Sequence, residues 1–251
     1  LAAAEAALQA QDPDRIDLFW LGVAGDGRQE VFRREVEYVR SQFERDYGTA
    51  GRSLSLINSR TTVGAAPLAT HTSLQRALRT LAATMDVDED ILFLFLTSHG
   101  SEYHELVLEL DGVELPDLPA ATLAQMLRDS GIRWKVIVIS ACYSGGFIDA
   151  LKDEHTLVIT AARHDRTSFG CSDDNDFTYF GRAYFEQSLT PETGFVEAFA
   201  KTQGVIAEWE KEMFEQALDK RGLQHSEPMM HAPEPIQAHL QRWRAQLATQ
   251  R

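Results

Sequence analysis

The chain is poor in cysteine, in positive charge and in long apolar runs, and each shortage closes off a class of function. Two cysteines in 251 residues, Cys142 and Cys171, allow one pairing at most. That excludes a disulfide scaffold, and the pairing would consume any nucleophilic thiol, so both are read as free. The same scarcity leaves too few thiolates for a metal cage, and neither a metal nor a cofactor is expected. Lys and Arg number 24 against 38 Asp and Glu, giving a formal net charge of -14 and a pI near 5.0. Nucleic acid and anionic membrane both need a basic surface, and both are set aside as partners. No apolar run approaches the ~18 residues of a membrane span, and no signal peptide opens the chain. The opening Leu1-Ala2-Ala3-Ala4-Glu5 lacks an initiator Met and reads like the middle of a helix. We therefore expect a fragment or processed form, with room for a membrane anchor upstream.

Present instead are 44% hydrophobic residues, enough for a sizeable core, and a repeated change of hydrophobic period. Buried-strand patterns cover 16–23, 52–58, 91–96, 136–142 and 155–161, and helical ones cover 29–47, 71–85, 119–130, 195–214 and 236–247. An alanine-rich helical lead-in covers 1–11, a short strand 105–110, and an edge strand falls within 226–231. Strand alternating with helix implies a mostly parallel α/β sheet with right-handed crossovers. We expect one domain over 1–251, with 1–15 as lead-in and 205–251 as a C-terminal helical segment that caps or completes it. On the first long helix Val31, Phe32, Val36, Val39 and Phe43 form the apolar stripe, while Arg33, Arg34, Glu35 and Glu37 read as its wet face. The acidic Asp86-Val87-Asp88-Glu89-Asp90 lacks the glycine and spaced ligands of a calcium loop and reads as a solvated connector.

Two apolar runs end in reactive side chains. Val136-Ile137-Val138-Ile139 empties into Ser140-Ala141-Cys142-Tyr143-Ser144-Gly145-Gly146, and Ile91 to Leu96 empties into Thr97-Ser98-His99-Gly100. The carboxyl ends of parallel strands are where open α/β sheets keep their crevices. A cysteine or histidine alone at such a place is more often packing than chemistry. Together, each with a glycine that lets backbone amides approach a bound carbonyl, they point to nucleophilic catalysis. Residues 163–182, including Arg166-Thr167-Ser168-Phe169-Gly170-Cys171 and Phe177-Thr178-Tyr179-Phe180-Gly181-Arg182, fit no single period. They read as a loop walling a substrate pocket, with Ser168 a substrate-binding candidate. His104, His155 and His164 read as loop or capping residues.

These residues resemble a known family. The His-Gly and Ala-Cys strand ends, 43 residues apart, and the Phe-Thr-Tyr-Phe-Gly segment are similar to the caspase-legumain-gingipain clan of cysteine peptidases. Within it they look nearest to the legumain (C13) family, in particular its bacterial branch, with the likeness running from about Asp17 to Phe199. The resemblance implies a caspase-like three-layer α/β sandwich with helices on both faces of a mostly parallel sheet. It implies a cysteine endopeptidase acting on peptide or protein substrates in a soluble bacterial domain. Cys142 would be the nucleophile, His99 the general acid/base, and the amides of Gly100 and Cys142 the oxyanion donors. Asp26 stands where legumain carries an orienting asparagine, so it is expected to accept a hydrogen bond from the imidazole and favour its charged form. Arg28, Ser140 and Arg182 fall at S1-pocket positions, and legumain has carboxylates at the last two. The charge reversal implies an acidic P1 residue, with an uncharged polar P1 as the alternative if a carboxylate ties up one arginine. A transamidase using the same acyl-enzyme and a peptide-binding scaffold without turnover are the rival readings.

Overall fold

The computed structural model describes residues 1–219 and 221–249; Lys220, Gln250 and Arg251, which belong to the expected 205–251 segment, lie outside the described residues. In chain order the elements are α1 (Ala2–Ala6), β1 (Leu18–Ala24), α2 (Glu30–Asp46), β2 (Ser53–Ile57), α3 (His71–Thr84), β3 (Ile91–Thr97), β4 (Glu105–Leu106), β5 (Leu118–Pro119) and α4 (Ala120–Ser130). There follow β6 (Trp134–Ser140), α5 (Ile148–Leu151), β7 (Thr156–Thr160), α6 (Tyr179–Gly181), a wide helical turn at Arg182–Ser188, α7 (Phe195–Gln216), β8 (Met229–His231) and α8 (Glu234–Thr249).

Strands β3 and β6 are apolar at nearly every position because both of their faces are covered. Ile91, Phe93 and Phe95 with Val136 and Val138 meet Phe32, Val36 and Val39 of α2, Phe195 and Phe199 of α7, and Ile236, Leu240 and Trp243 of α8. Leu92, Leu94 and Leu96 with Ile137 and Ile139 meet Leu74, Leu78 and Leu81 of α3 and Leu123 and Leu127 of α4. Burying each such side chain is worth about 1.5–3 kcal/mol relative to leaving it exposed. The result is a three-layer sandwich around a six-stranded sheet of order β2-β1-β3-β6-β7-β8, with β8 alone antiparallel to its neighbour.

Three local expectations change. The lead-in is helical over Ala2–Ala6 only, since so short a helix gains little from propensity; the chain then runs on irregularly, with the Gln9 N–H donating to the Gly51 carbonyl at 2.8 Å. The 105–110 run is a strand only at Glu105–Leu106, paired with Leu118–Pro119, after which the Glu109 N–H joins the Gly25 carbonyl beside β1. Glu35 does not belong to a wet face. It is 0% exposed, on the same stripe as Val31, Val36 and Val39.

The register positions the site. Ala24 lies opposite Thr97, and Thr97 opposite Ser140, so β1, β3 and β6 end level. Gly25-Asp26, Ser98-His99 and Ala141-Cys142 therefore leave the sheet side by side.

Candidate active site

At these exits the main chains touch. A Cβ on Gly100 would collide with the carbonyl oxygen of Cys142, so no residue with a side chain fits there without forcing the two strand ends apart. Immediately after the cysteine the chain turns through Tyr143, whose φ of 56° lies in the left-handed region. Its N–H donates to the Arg166 carbonyl at 2.7 Å, and that of Gly145 to the Ala162 carbonyl at 2.8 Å. Among the described residues, the N–H groups of Gly100 and Cys142 donate to no internal acceptor. Two unspent amides at one strand edge are suited to an oxyanion.

The half-buried Cys142 is met by the pocket-wall loop. The Ser168 N–H donates to Sγ at 3.3 Å, and the Ser168 carbonyl oxygen and Oγ lie 3.7 and 3.8 Å from the sulfur. Ser168, a substrate-binding candidate by sequence, thus sits on the Cys142 thiol itself. Cys171 on the same loop is also half-buried, and burial, reinforced by the charges of Cys142 and Glu35, pushes its thiol up to about 12. It stays protonated near neutrality.

His99 packs edge-on against Phe32, ring centroids 5.2 Å apart, and its Nε2 donates to Oε1 of Gln29 at 2.6 Å. Nδ1 is then the basic nitrogen. Burial holds the imidazole below its ordinary pKa, opposed by the charge of Asp26 and seconded by that of Arg28, so it is neutral at pH 7.

The expected hydrogen bond from His99 to Asp26 is corrected here. Oδ1 of Asp26 accepts from the backbone N–H and Nε of Arg28 at 2.9 and 3.3 Å, and Oδ2 accepts from Nη2 at 3.0 Å. Residues two apart in a tight turn satisfy each other before either reaches a distant ring. Asp26 acts on His99 through charge, and Gln29 holds the ring. Sequence reasoning passed over Gln29, because a neutral amide before a helix carries no chemical signature.

Two S1 candidates also differ from expectation. Ser140 is 1% exposed, its Oγ bonded to Thr178 Oγ1 at 2.9 Å, so it lies beneath the surface and lines no open pocket. Arg182 leans toward Glu186 at 3.6 Å and lies over the Phe177 ring at 6.0 Å; it borders a surface depression with Tyr179 and Trp209. Arg28 is more than half exposed, its fork held by Asp26. Among the described residues, no three His, Cys, Asp or Glu side chains converge as a metal site, and no helix is long and apolar enough to cross a membrane.

Comparisons with known proteins accord with this geometry. A sequence profile of the Peptidase C13 family matches residues 71–218, more than half of the chain and a span that contains both His99 and Cys142. Among solved structures, caspase-1 from Spodoptera frugiperda is similar, with a TM-score of 0.59 at 12% identity over 87% of each chain. The likeness shows a caspase-like fold. No curated protein matches in sequence.

Proposed function

From the premise that this chain belongs to the Peptidase C13 family, a family of cysteine peptidases, we propose that it is an endopeptidase working through a Cys142 acyl-enzyme. Neutral His99 takes the thiol proton, and the sulfur attacks the scissile carbonyl. The oxyanion of the tetrahedral intermediate is received by the N–H groups of Gly100 and Cys142. The imidazolium, favoured by the nearby charge of Asp26, then protonates the leaving amine. Water, deprotonated by His99, resolves the thioester. The observation that supports this reading most is the close approach of Gly100 to the Cys142 carbonyl, together with the lack of an internal acceptor for the amides of Gly100 and Cys142 among the described residues.

For P1 we propose an uncharged polar residue over the acidic one expected from sequence. Acidic preference depends on two free guanidinium forks with a neutral serine between them. Here Arg28 is paired with Asp26 and Arg182 with Glu186, and Ser140 is buried. A paired, exposed Arg28 still offers N–H donors with little net charge, which suits an amide oxygen. The test is kcat/KM on matched peptides with Asn, Asp and Lys at P1. Asn is expected to lead, and a lead for Asp would restore the acidic reading. Absence of cleavage of every peptide, with Cys142 still open to alkylation, would favour a binding scaffold.

We also propose that 1–251 acts as one domain with 205–251 completing the fold. Ile236, Leu240 and Trp243 share a core with β1 and β3.

A further inference from the structure

Beneath the active site lies a carboxyl group that the reaction scheme does not use. Glu35 projects from α2 into the layer between helix and sheet with no exposure to solvent. Oε2 accepts from Thr97 Oγ1 at 2.5 Å, and Oε1 accepts from Thr178 Oγ1 at 2.7 Å and from the Thr178 N–H at 3.1 Å. The Thr178 hydroxyl oxygen in turn meets Ser140 Oγ at 2.9 Å and accepts from the Gly181 N–H at 2.9 Å. Gly181 packs so closely that a Cβ there would collide with Oε1.

Each partner is placed by the chemistry above it. Thr97 ends β3 two residues before His99. Ser140 ends β6 two residues before Cys142. Thr178 opens the wall that follows the Ser168 loop. Burying a carboxyl without a cation is costly even when it is hydrogen-bonded, and a hydrophobic residue at this point of the α2 stripe would pack without that cost.

We propose that Glu35 is a positioning residue of the peptidase: its buried carboxylate ties the His99 strand end, the Cys142 strand end and the Thr178 wall into one cluster that only the ionised form holds together. The proposal rests on the peptidase reading for its consequence in turnover. The ionised group accepts three hydrogen bonds. Once a proton on Oε1 points at Thr178, that hydroxyl must turn toward Ser140, and once a proton on Oε2 points at Thr97, that hydroxyl can no longer donate to the carboxyl.

Burial raises this carboxyl to about 7, against the pull of its three donors, which puts the change near neutrality. The groups packed on it are Thr97 from β3, Ser140 from β6 through Thr178, and Thr178 and Gly181 from the wall. From the loop, the titratable neighbour is Cys171, itself held protonated well above neutrality. Arg34, next in sequence, turns away to the carbonyls of Asp173 and Asn175.

The experiment follows two rates across pH 5.5 to 8.5 in the full chain: peptide turnover, and alkylation of Cys142 by iodoacetamide, which requires no turnover. For the wild type both should rise through an inflection near 7. Glu35→Gln, with the same shape but no ionisation, should lose that inflection in both. It should show a kcat lower by about tenfold, the scale of a small misplacement of reacting groups, with KM within twofold. An inflection that persists unchanged in Glu35→Gln overturns the proposal and leaves the peptidase reading intact. An inflection in alkylation that Glu35→Gln removes, in a protein that cleaves no peptide, supports the proposal and overturns the peptidase reading. Should Glu35→Gln not fold, carbon-13 carboxyl NMR of glutamate-labelled wild type replaces it. A resonance titrating near 7 in step with alkylation supports the proposal, and no glutamate resonance titrating above the ordinary range overturns it.

Discussion

At the amino edge of the sheet Asp17 meets two guanidinium groups, Arg15 at 2.9 Å and Arg52 at 3.1 Å. Nearby, Lys135 is held by the carbonyls of Ile132 and Arg133 and by Asp153. At the carboxyl edge Glu35 is more deeply buried and has hydroxyl and amide donors where Asp17 has cations. His99 there is kept neutral by burial, and Tyr143 holds a left-handed backbone. The same strands thus run from an edge where a buried carboxylate meets cations to one where Glu35 has none, although Asp26 at that second edge is paired with Arg28. Asp90 belongs to the first edge but is raised to about 6, chiefly by burial, despite accepting from the N–H groups of Asp17 and Asp86, so the contrast is one of degree. It teaches that the exits tolerate a buried carboxyl without a cation close to His99 and Cys142, as functional sites commonly do.

The largest effect that would sharpen this contrast is loss of chemistry without loss of structure. Cys142→Ala should abolish peptide cleavage and leave the circular dichroism spectrum and Tm unchanged, whereas Cys171→Ala should keep full turnover. Cleavage surviving in Cys142→Ala would remove the nucleophile from the scheme. The mirror experiment is Arg52→Met at the other edge. It leaves Asp17 paired with Arg15 and should cost somewhat less in a denaturant titration than the about 3–5 kcal/mol of a buried ion pair broken outright, while kcat of the folded enzyme stays unchanged. A fall in kcat there would mean that the two edges are not separable.

Next in size is the pH dependence of stability. A carboxyl raised in the folded state opposes folding once the unfolded chain has released its proton. The Glu35 contribution is therefore fully favourable below about 4.5 and is lost as pH rises from there through about 7; it amounts to about 3 kcal/mol by linkage. Asp90, raised to about 6, acts in the same direction over a lower window. The lowered imidazoles of His99 and His239 act the other way over part of this range, so the quantity to read is the difference: the stability of Glu35→Gln relative to wild type should grow as pH rises. Equal slopes would show that Glu35 bears no uncompensated charge. The smallest effect is expected of Gln29→Leu, which removes the acceptor at 2.6 Å from His99. A fall in kcat of about tenfold with KM unchanged corresponds to one ordinary hydrogen bond; an unaffected kcat would leave the ring positioned by Phe32 alone.

The strands, and the placing of His99 and Cys142 at neighbouring strand exits, were legible in the sequence because each is written locally. Ile91 to Leu96 and Val136 to Ile139 are continuous apolar runs, and His99-Gly100 and Ala141-Cys142 follow them directly. The supporting groups were not legible, since their roles depend on partners far away in the chain. Glu35 was hidden in a run of charges. Its position four residues from both Val31 and Val39 did place it on the apolar stripe, but the hydroxyls that donate to it there come from residues 62 and 143 positions further on. Ser140 read as pocket lining for the same reason: nothing near it foretells Thr178. Asp26 was misjudged in the other direction, its true partner Arg28 being so close that the distant His99 was preferred.

The touching main chains at Gly100 bear on any attempt to build this dyad into another protein. A histidine and a cysteine can be grafted onto the ends of two parallel strands in many α/β sheets, and rotamers that bring their side chains to a workable separation are easily found. Without a glycine after the histidine, and without a neighbouring strand exit whose carbonyl occupies the space a side chain would need, the two strand ends would be forced apart and the amides proposed to receive the oxyanion displaced with them. Selection of scaffolds for such a graft should begin with backbone proximity between the two exits and treat rotamer placement as the later, easier step.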